Sequence, residues 1–200
     1  MPGRAILDQR EAIKGKTEMI KTIFAVDPGT VSGWAVMTVE AEPKSEIVAR
    51  VNFKNGYPQT AFAMVGACLP YKIDPKFYNK MPAHVAIEGQ YLDEGNRRNV
   101  DSLIKLARKA GRWEEAACAH GLTYEYIQPS VWITAELGRG LRSDQVAKLA
   151  KEKCEALYGV SGLSEHEYSA ILIGRYVAIR EYRKNLQLTI STERSNYKRG

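Results

Sequence analysis

The chain has 200 residues, of which 44% are hydrophobic and 26% are charged, and these proportions predict one globular domain with a sizeable core. The formal net charge of +6 and the pI of about 9.2 favour a polyanionic partner. No stretch resembles a membrane-spanning helix or a signal peptide, so no membrane partner is expected. The three cysteines lie far apart and lack metal-ligand spacing, which indicates buried thiols in a reducing compartment.

The sequence pattern of the first quarter of the chain predicts an N-terminal arm followed by three strands. Residues 1–20 are polar and of mixed charge, so we interpret them as a loosely held N-terminal arm. Apolar runs bounded by turn residues predict strands at about 22–28, 33–40 and 46–53. A charged turn joins the second strand to the third, which indicates an antiparallel meander.

The first strand ends in an acid, and a strand predicted at 84–88 repeats this pattern. Asp27 follows an apolar run and precedes Pro28-Gly29, while Glu88 ends its own apolar run before Gly89. A buried acid is costly unless it is paired or binds a metal, so we expect the two carboxylates to converge at one end of a sheet. The alternative is that Asp27 only caps the turn and that Glu88 ends a strand in solvent.

A long helix is predicted after the second acid. Before it, residues 58–69 have helical character and residues 71–82 form a Pro-rich connection between strands. The helix is predicted from about 99 to 120 by its apolar periodicity, and Gly121 ends it as a C-terminal glycine. Its predicted apolar face consists of Val100, Leu103, Ile104, Leu106, Ala107, Ala110 and Trp113.

The rest of the chain predicts one more strand and three more helices. The strand covers 122–127, and the helices cover 129–135, 144–158 and 164–184. Ser143 is predicted to cap the second of these helices, and a flexible basic loop precedes it. The polar and basic residues 185–200 are predicted to form a disordered tail.

Together the predicted elements form an α/β fold with a mixed five-stranded sheet. The three-strand meander is antiparallel, and the two strands that follow are expected to be parallel because a helix separates them. Helices are expected on both faces of the sheet, since strands buried on both sides need cover on both sides.

Four motifs in this order resemble those of RuvC-type Holliday junction resolvases, which belong to the ribonuclease H-like superfamily of nucleases. They are Asp27-Pro-Gly-Thr30, Ile87-Glu-Gly-Gln-Tyr91, the long Ala-rich helix and Pro129-Ser-Val-Trp132. The resemblance covers about residues 22–180 and implies a ribonuclease H-like nuclease domain over residues 21–184.

The resemblance implies an endonuclease that cleaves branched DNA, such as four-way junctions, with two Mg²⁺ or Mn²⁺ ions in each active site. Two hard cations about 4 Å apart activate the attacking water and stabilise the leaving oxygen, and such cations take oxygen ligands. Asp27 would bind both cations and Glu88 would bind one. The resemblance also implies a homodimer, for which the long helix is a candidate contact.

The last helix matches the family pattern less completely. The pattern has an acid or His followed three residues later by an Asp, a spacing that puts two ligands on one helix face. Alignment of the apolar continuation puts His166 at the first position and Ser169 at the second. We expect His166 to bind a metal or to act as a general base near the attacking water, whereas a serine is not a normal ligand for a catalytic metal.

Three explanations of Ser169 stay open. It replaces an acid and inactivates the enzyme, or Glu165 or Glu167 reaches the metals in its place, or the protein binds junctions without cutting them well. Glu167 is accordingly a candidate catalytic and metal-binding residue. The alternative for both glutamates is that they are first-turn acids that complement the helix dipole.

Candidate nucleic-acid contacts follow the second acid. Tyr91 resembles a family position where an aromatic side chain stacks on a base of the opened junction, an interaction worth roughly 1–3 kcal/mol. Basic side chains would bind phosphates, and the alternative is a solvated helix face or a plain loop. The basic candidates are Arg97, Arg98, Lys105, Arg108, Arg112, Arg139 and Arg142.

Two further functions stay open from the sequence. One is a ribonuclease H-like nuclease with another substrate, such as an RNA–DNA hybrid. The other is a junction-binding protein with an impaired active site, which Ser169 favours. We expect a cytoplasmic or nucleoid-associated protein, and the compact size and atypical last helix favour a viral or organellar source.

Overall fold

The computed structural model describes residues 20–29, 31–52, 83–89 and 100–197. In these ranges the strands are β1 (Thr22–Asp27), β2 (Val31–Thr38), β3 (Ser45–Asn52), β4 (Ala83–Glu88) and β5 (Thr123–Ile127). The helices are α1 (Val100–Ala119), α2 (Pro129–Glu136), α3 (Ser143–Tyr158) and α4 (Glu165–Tyr197). The predicted helical segment 58–69, the connection 71–82 and nearly all of the predicted N-terminal arm lie outside the described residues.

The strands form one mixed sheet in the order β3-β2-β1-β4-β5. β2 pairs antiparallel with both β1 and β3, while β4 pairs parallel with both β1 and β5. The predicted five-stranded ribonuclease H-like sheet, with its antiparallel meander and two added parallel strands, is therefore confirmed. Because β1 and β4 are parallel neighbours in register from Thr22 opposite Ala83 to Val26 opposite Ile87, their last residues lie at the same edge of the sheet.

One face of the sheet is covered by α2, α3 and α4. Alternate side chains of the strands, including Ile23, Ala25 and Ala86, form a core with the apolar residues of α4. The backbone of α4 lies very close to the strands at Gly174, where a β-carbon would stand 2.6 Å from Met37 Cγ and 3.0 Å from Ala25 Cβ. α4 therefore packs closely on β1 and β2, because residue 174 has no side chain.

The opposite face of the sheet is covered by α1. Phe24, Val26 and Trp34 pack there with Trp113, which is fully buried, and with the small residues Ala110, Ala116 and Ala117. In α1, Ile104 is 45% exposed, and the side chains of Val100 and Leu103 lie outside the described part of the structure. The predicted apolar face is therefore not covered by the core at Ile104, since periodicity shows which side chains share a face but not whether the sheet reaches that face.

Two helix boundaries also differ from the predictions. α3 begins at Ser143, with Arg142 as its N-cap, because the side chain of Gln145 accepts a hydrogen bond of 2.9 Å from the Arg142 backbone N–H. α4 continues to Tyr197 instead of ending near Lys184, so most of the predicted tail is helical. No Gly or Pro interrupts the sequence from Arg175 to Arg199, and helix formation can therefore continue. None of the helices in the described ranges is long and apolar enough to cross a membrane.

Candidate active site

Asp27 lies at the C-terminal end of β1 and is 8% exposed. Its position in the strand alternation puts its side chain on the sheet face that carries α4. The turn that follows is held locally, because the Gly29 N–H donates to Ser32 Oγ over 3.2 Å. The predicted burial of this acid is confirmed, and its carboxylate has a partner from the far end of the chain.

That partner is His166, the second residue of α4. Its Nδ1 lies 3.0 Å from Oδ2 of Asp27, and its side chain is 34% exposed. The hydrogen bond to Asp27 raises the pKa of His166, although partial burial of the ring opposes this effect. The exposed Glu165 next to it and the more distant Glu88 add to the rise in the pKa of His166. The imidazole is therefore held against an acid and favours its protonated form.

Two glycines allow His166 to approach β1 and β2. A β-carbon at Gly33 would stand 2.1 Å from the carbonyl oxygen of His166, and one at Gly29 would stand 3.2 Å from its imidazole Nε2. Gly33 is also the residue paired with Asp27 across the β1–β2 ladder. The start of α4 can lie directly over the acid because these two positions have no side chains.

Glu88 ends β4, next to Asp27 at the same edge of the sheet. Burial and the negative charge of Asp27 raise the pKa of Glu88 to about 8, while a hydrogen bond from Trp132 and the charge of His166 oppose the rise. Glu88 therefore keeps a proton near neutral pH. The expected convergence of the two strand-end acids is what the structure shows.

Trp132 was not predicted to be part of the site. Its indole Nε1 donates to Oε1 of Glu88 over 2.9 Å, and the residue is 1% exposed. The sequence contained a signal for such a role, since a buried indole N–H usually has an acceptor. The local sequence could not indicate which acceptor, because Glu88 lies 44 positions away.

The structure gives Glu167 a different role from the predicted one. The Oε2 atom of Glu167 accepts from the Ser164 backbone N–H over 2.8 Å and from the Ser164 hydroxyl over 2.7 Å. The Glu167 N–H donates back to Ser164 Oγ over 3.4 Å. This reciprocal pair is a capping box, which Ser164-x-x-Glu167 signals in the sequence. In the structure the carboxylate of Glu167 is therefore engaged at the start of α4, and its role as a metal ligand stays a prediction.

Ser169 lies one helical turn after His166 and is half-buried. Residues three apart on a helix are neighbours on its surface, so Ser169 lies on the same side of α4 as His166. Glu165 is exposed in the first turn of α4. Of the last-helix candidates, His166 is the one that the structure brings into contact with Asp27.

Comparison with solved structures shows the same architecture in known proteins. RuvC of Thermus thermophilus in complex with a Holliday junction substrate aligns with a TM-score of 0.55 and 19% identity, over 80% of this chain and 97% of that chain. A second structure of Thermus thermophilus RuvC aligns with a TM-score of 0.53 and 16% identity, over 83% of this chain and 96% of that chain.

This chain has the RuvC fold. A yeast mitochondrial Holliday junction resolvase, Ydc2, aligns with a TM-score of only 0.41 and 11% identity, over 89% of this chain and 87% of that chain. This similarity is too weak to establish a shared fold. No protein-family model matches the sequence, and no curated protein sequence is significantly similar to it. At such low identity the similarity to RuvC shows the fold, and the roles of residues depend on the geometry of this site.

The predicted basic contacts lie on two separate parts of the RuvC fold. On α1, Lys105 and Arg108 are exposed and Arg112 is half-buried. The pKa of Lys109 is lowered by partial burial and then by the charges of Arg112 and Lys105, so these three cations lie close together. Arg139 and Arg142 are exposed in the loop between α2 and α3, where Arg142 forms a 3.5 Å ion pair with Asp144. Tyr91, Arg97 and Arg98 lie outside the described residues.

The donor set at the sheet edge fits a divalent cation in its chemistry. Asp27 and Glu88 are neighbouring acids, and burial together with the charge of Asp27 favours the protonated form of Glu88. A hard cation could replace this proton and reduce the repulsion between the two carboxylates. In the described part of the chain, no group of three or more His, Cys, Asp or Glu side chains is arranged around a metal position. Asp27 and Glu88 would thus be the first ligands, and His166 could join them through Nε2, because its hydrogen bond to Asp27 uses Nδ1.

Proposed function

We propose that this protein is a divalent-metal-dependent endonuclease that cleaves branched DNA, with the four-way junction as its substrate. The observation that carries the proposal is the position of Asp27 and Glu88 at the adjacent ends of parallel strands, with His166 3.0 Å from Asp27. The RuvC fold supports it, since a solved RuvC of that fold is in complex with a Holliday junction substrate. The net charge of +6 also suits a nucleic-acid partner.

Asp27 and Glu88 would hold Mg²⁺ or Mn²⁺ through their carboxylate oxygens. When bound, such a cation lowers the pKa of a water molecule and stabilises negative charge on phosphate oxygens. Glu88 must lose its proton for this role, because ligands bind metals in their deprotonated form. His166 would either add a ligand or take the proton of the attacking water as a base, and for either role it must first lose the proton that Asp27 favours.

Two cations in each site would need more ligands than Asp27, Glu88 and His166. Ser169 supplies a hydroxyl where an acid is expected, and the carboxylate of Glu167 is bound to Ser164. Glu165 is exposed on the first turn of α4 and could reach a second cation by a change of side-chain rotamer. Water molecules and phosphate oxygens of the DNA would complete the coordination of the cations.

A homodimer would let two sites cut two strands of one junction. Ile104 supports a contact through α1, because this apolar side chain is 45% exposed on the helix surface. The exposed Lys105 and Arg108 lie on the same helix and would bind phosphates. Cys154 is a buried free thiol as predicted, whereas the prediction of burial is wrong for Cys118, whose free thiol is on an exposed residue. Free thiols suit a reducing compartment such as the cytoplasm or nucleoid.

A second candidate function is junction binding without efficient cleavage. Two features of α4 favour it: position 169 carries a serine and not an acid, and the carboxylate of Glu167 is hydrogen-bonded to Ser164. The fold and the basic residues would then serve recognition alone.

Cleavage and binding of a four-way junction, compared with a linear duplex of the same sequence, test these proposals. In Mg²⁺ or Mn²⁺ the wild-type protein should cut the junction selectively, and Asp27→Asn should abolish cutting while binding is retained. Asp144→Asn is the matched control, because Asp144 is an exposed first-turn acid of α3. Equal affinity for both DNAs would refute junction selectivity, and unchanged cutting by Asp27→Asn would remove Asp27 from the site. Selective binding without cutting would favour the second candidate.

A further inference from the structure

We infer that Trp132 is a positioning residue for Glu88. Its indole would hold one carboxylate oxygen of Glu88, so that the other oxygen can bind the divalent cation. The inference rests on the proposed function in one respect, because it takes Glu88 as a metal ligand. It adds to that function a residue of α2 that no strand-end or last-helix pattern identifies.

The contact between the two residues is direct and buried. Trp132 Nε1 lies 2.9 Å from Glu88 Oε1, and Trp132 is 1% exposed while Glu88 is half-buried. An indole N–H can only donate, so the contact requires an acceptor on Glu88. An indole also has few rotatable bonds and is enclosed by the core, so its N–H direction is set by the packing of α2.

The position of α2 is determined from both of its ends. At its start, Gln128 follows β5 directly, and β5 holds the end of β4 through a 2.7 Å hydrogen bond from the Gly89 N–H to the Ile127 carbonyl. The backbone of Glu88 and the beginning of α2 are therefore attached to the same strand.

At the other end, Glu136 fastens α2 to α3 and α4. Its Oε2 lies 2.7 Å from Lys153 Nζ and 2.6 Å from Arg175 Nη1, and its side chain is 4% exposed. Lys153 Nζ also donates to the Glu136 carbonyl oxygen over 2.5 Å. Glu136 follows Trp132 by four residues, which places both on one face of this eight-residue helix. The indole is thus fixed relative to the sheet and to the neighbouring helices.

The type of partner distinguishes Glu88 from two other glutamates of this fold. Glu136 is held by two cations, and Glu125 is held by Arg180 and His84. Those carboxylates have their negative charge neutralised within the protein. Glu88 instead receives an N–H from a neutral ring, and the charge that acts on its pKa most strongly is that of another acid, Asp27. A neutral donor orients a carboxyl group without supplying a counter-charge, so the charge of Glu88 is available for a cation once its proton is lost.

The consequence for Trp132→Phe is a weaker metal site in a protein that keeps its fold. Phenylalanine preserves most of the ring but removes the donor, so Glu88 gains freedom to rotate away. Loss of such a supporting partner typically weakens metal binding by about 10–100-fold. Trp113→Phe is the matched control, because Trp113 is equally buried but packs on the opposite face of the sheet.

The experiment measures Mn²⁺ affinity by calorimetry for the wild type, Trp132→Phe and Trp113→Phe, together with thermal unfolding and metal-free binding to a four-way junction. We expect both variants to lose similar stability and to bind the junction normally. Only Trp132→Phe should lose Mn²⁺ affinity, by about tenfold or more. Equal Mn²⁺ affinity in the two variants would overturn the positioning role.

A second measurement does not depend on a folded variant. In ¹⁵N-tryptophan-labelled wild-type protein, addition of Mg²⁺ should shift the Nε1–H resonance of Trp132 in a saturable manner and leave that of Trp113 in place. Saturable Mg²⁺ binding with an unmoved Trp132 resonance would overturn the inference. The proposed function fails separately, if the wild-type protein binds metal with these signatures but neither binds nor cuts branched DNA.

Discussion

The carbonyl oxygen of His166 lies 2.1 Å from the point where a β-carbon of residue 33 would stand. Gly33 is paired with Asp27 in the sheet, so the residue that admits the start of α4 is the direct neighbour of the acid that His166 contacts. The geometry of the candidate site therefore depends on a position that has no side chain and takes no part in chemistry.

Gly33→Ala should displace the start of α4 and break the contact between His166 and Asp27. The overlap involves backbone atoms on both sides, with the Glu167 nitrogen 2.5 Å from the added carbon, so a rotamer change cannot relieve it. We expect a lower melting temperature and a loss of junction cleavage. Gly111→Ala in α1 is the control, because its β-carbon would meet nothing within 4 Å. There the change should raise helix stability by about 0.5–1 kcal/mol. Equal melting temperatures for the two variants would contradict this account of Gly33.

The metal-free protein should lose stability as pH rises from 4.5 to about 8, because the pKa of Glu88 moves from 4.5 to about 8 on folding. In this window the folded protein binds more protons than the unfolded chain, and stability falls wherever that holds. His166, whose pKa is also raised, contributes a loss of the same sign as pH rises through its folded pKa.

Urea unfolding at a series of pH values measures this effect. Glu88→Gln should flatten the pH dependence relative to the wild type, which separates the contribution of Glu88 from that of His166. Addition of Mg²⁺ at the alkaline end of the window should restore stability, since metal binding replaces the proton. An identical pH dependence in Glu88→Gln and wild type would show that Glu88 ionises normally.

Glu167→Ala should cost about 1 kcal/mol of stability through loss of the helix cap. Because its Oε2 is bonded to Ser164, cleavage of a four-way junction should continue at close to the wild-type rate. Chemical denaturation and single-turnover cleavage measure the two effects, with Glu165→Ala as the neighbouring control. A complete loss of cleavage with unchanged stability would return Glu167 to the role of a metal ligand.

Ser169→Asp should increase cleavage strongly if the position is that of a missing acidic ligand. A carboxylate one turn after His166 would face the same side of α4 and add an oxygen donor for a hard cation. Cleavage rate and Mn²⁺ stoichiometry are the measurements, and Ser169→Asn is the control because it has nearly the same shape without the charge. If the two variants cut equally well, the ligands of the site come from elsewhere in the chain.

Several features of the site could be predicted from residues close to them in sequence. Asp27 and Glu88 each end an apolar run before a glycine-containing turn, and that local pattern is enough to place them at strand ends. The capping box of Ser164 and Glu167 was also legible, since a Ser followed three residues later by a Glu is its signature. The ligand role of Glu167, offered as an alternative to Ser169, stays a prediction, and in the structure its carboxylate caps α4.

Other features depend on contacts between distant elements. His166 meets Asp27 across 139 positions and Trp132 meets Glu88 across 44. Neither partnership has a local signal, because each depends on how closely a helix docks on the sheet. Ile104 of α1 shows the same limit, since it fits the apolar periodicity yet is 45% exposed.

The sequence by itself determined the strands, their mixed arrangement and the two acids at one edge, because alternation, turn residues and strand-end position act over a few residues. Only the tertiary structure decided what those acids contact. Asp27 contacts His166, whose approach depends on Gly33, and Glu88 contacts the indole of Trp132, whose helix is held by Glu136. The tertiary structure also showed that the carboxylate of Glu167 caps α4. The physical reason is that hydrogen bonds and ion pairs require atoms within about 3 Å. Such proximity follows from the packing of whole elements and not from the order of residues along one of them.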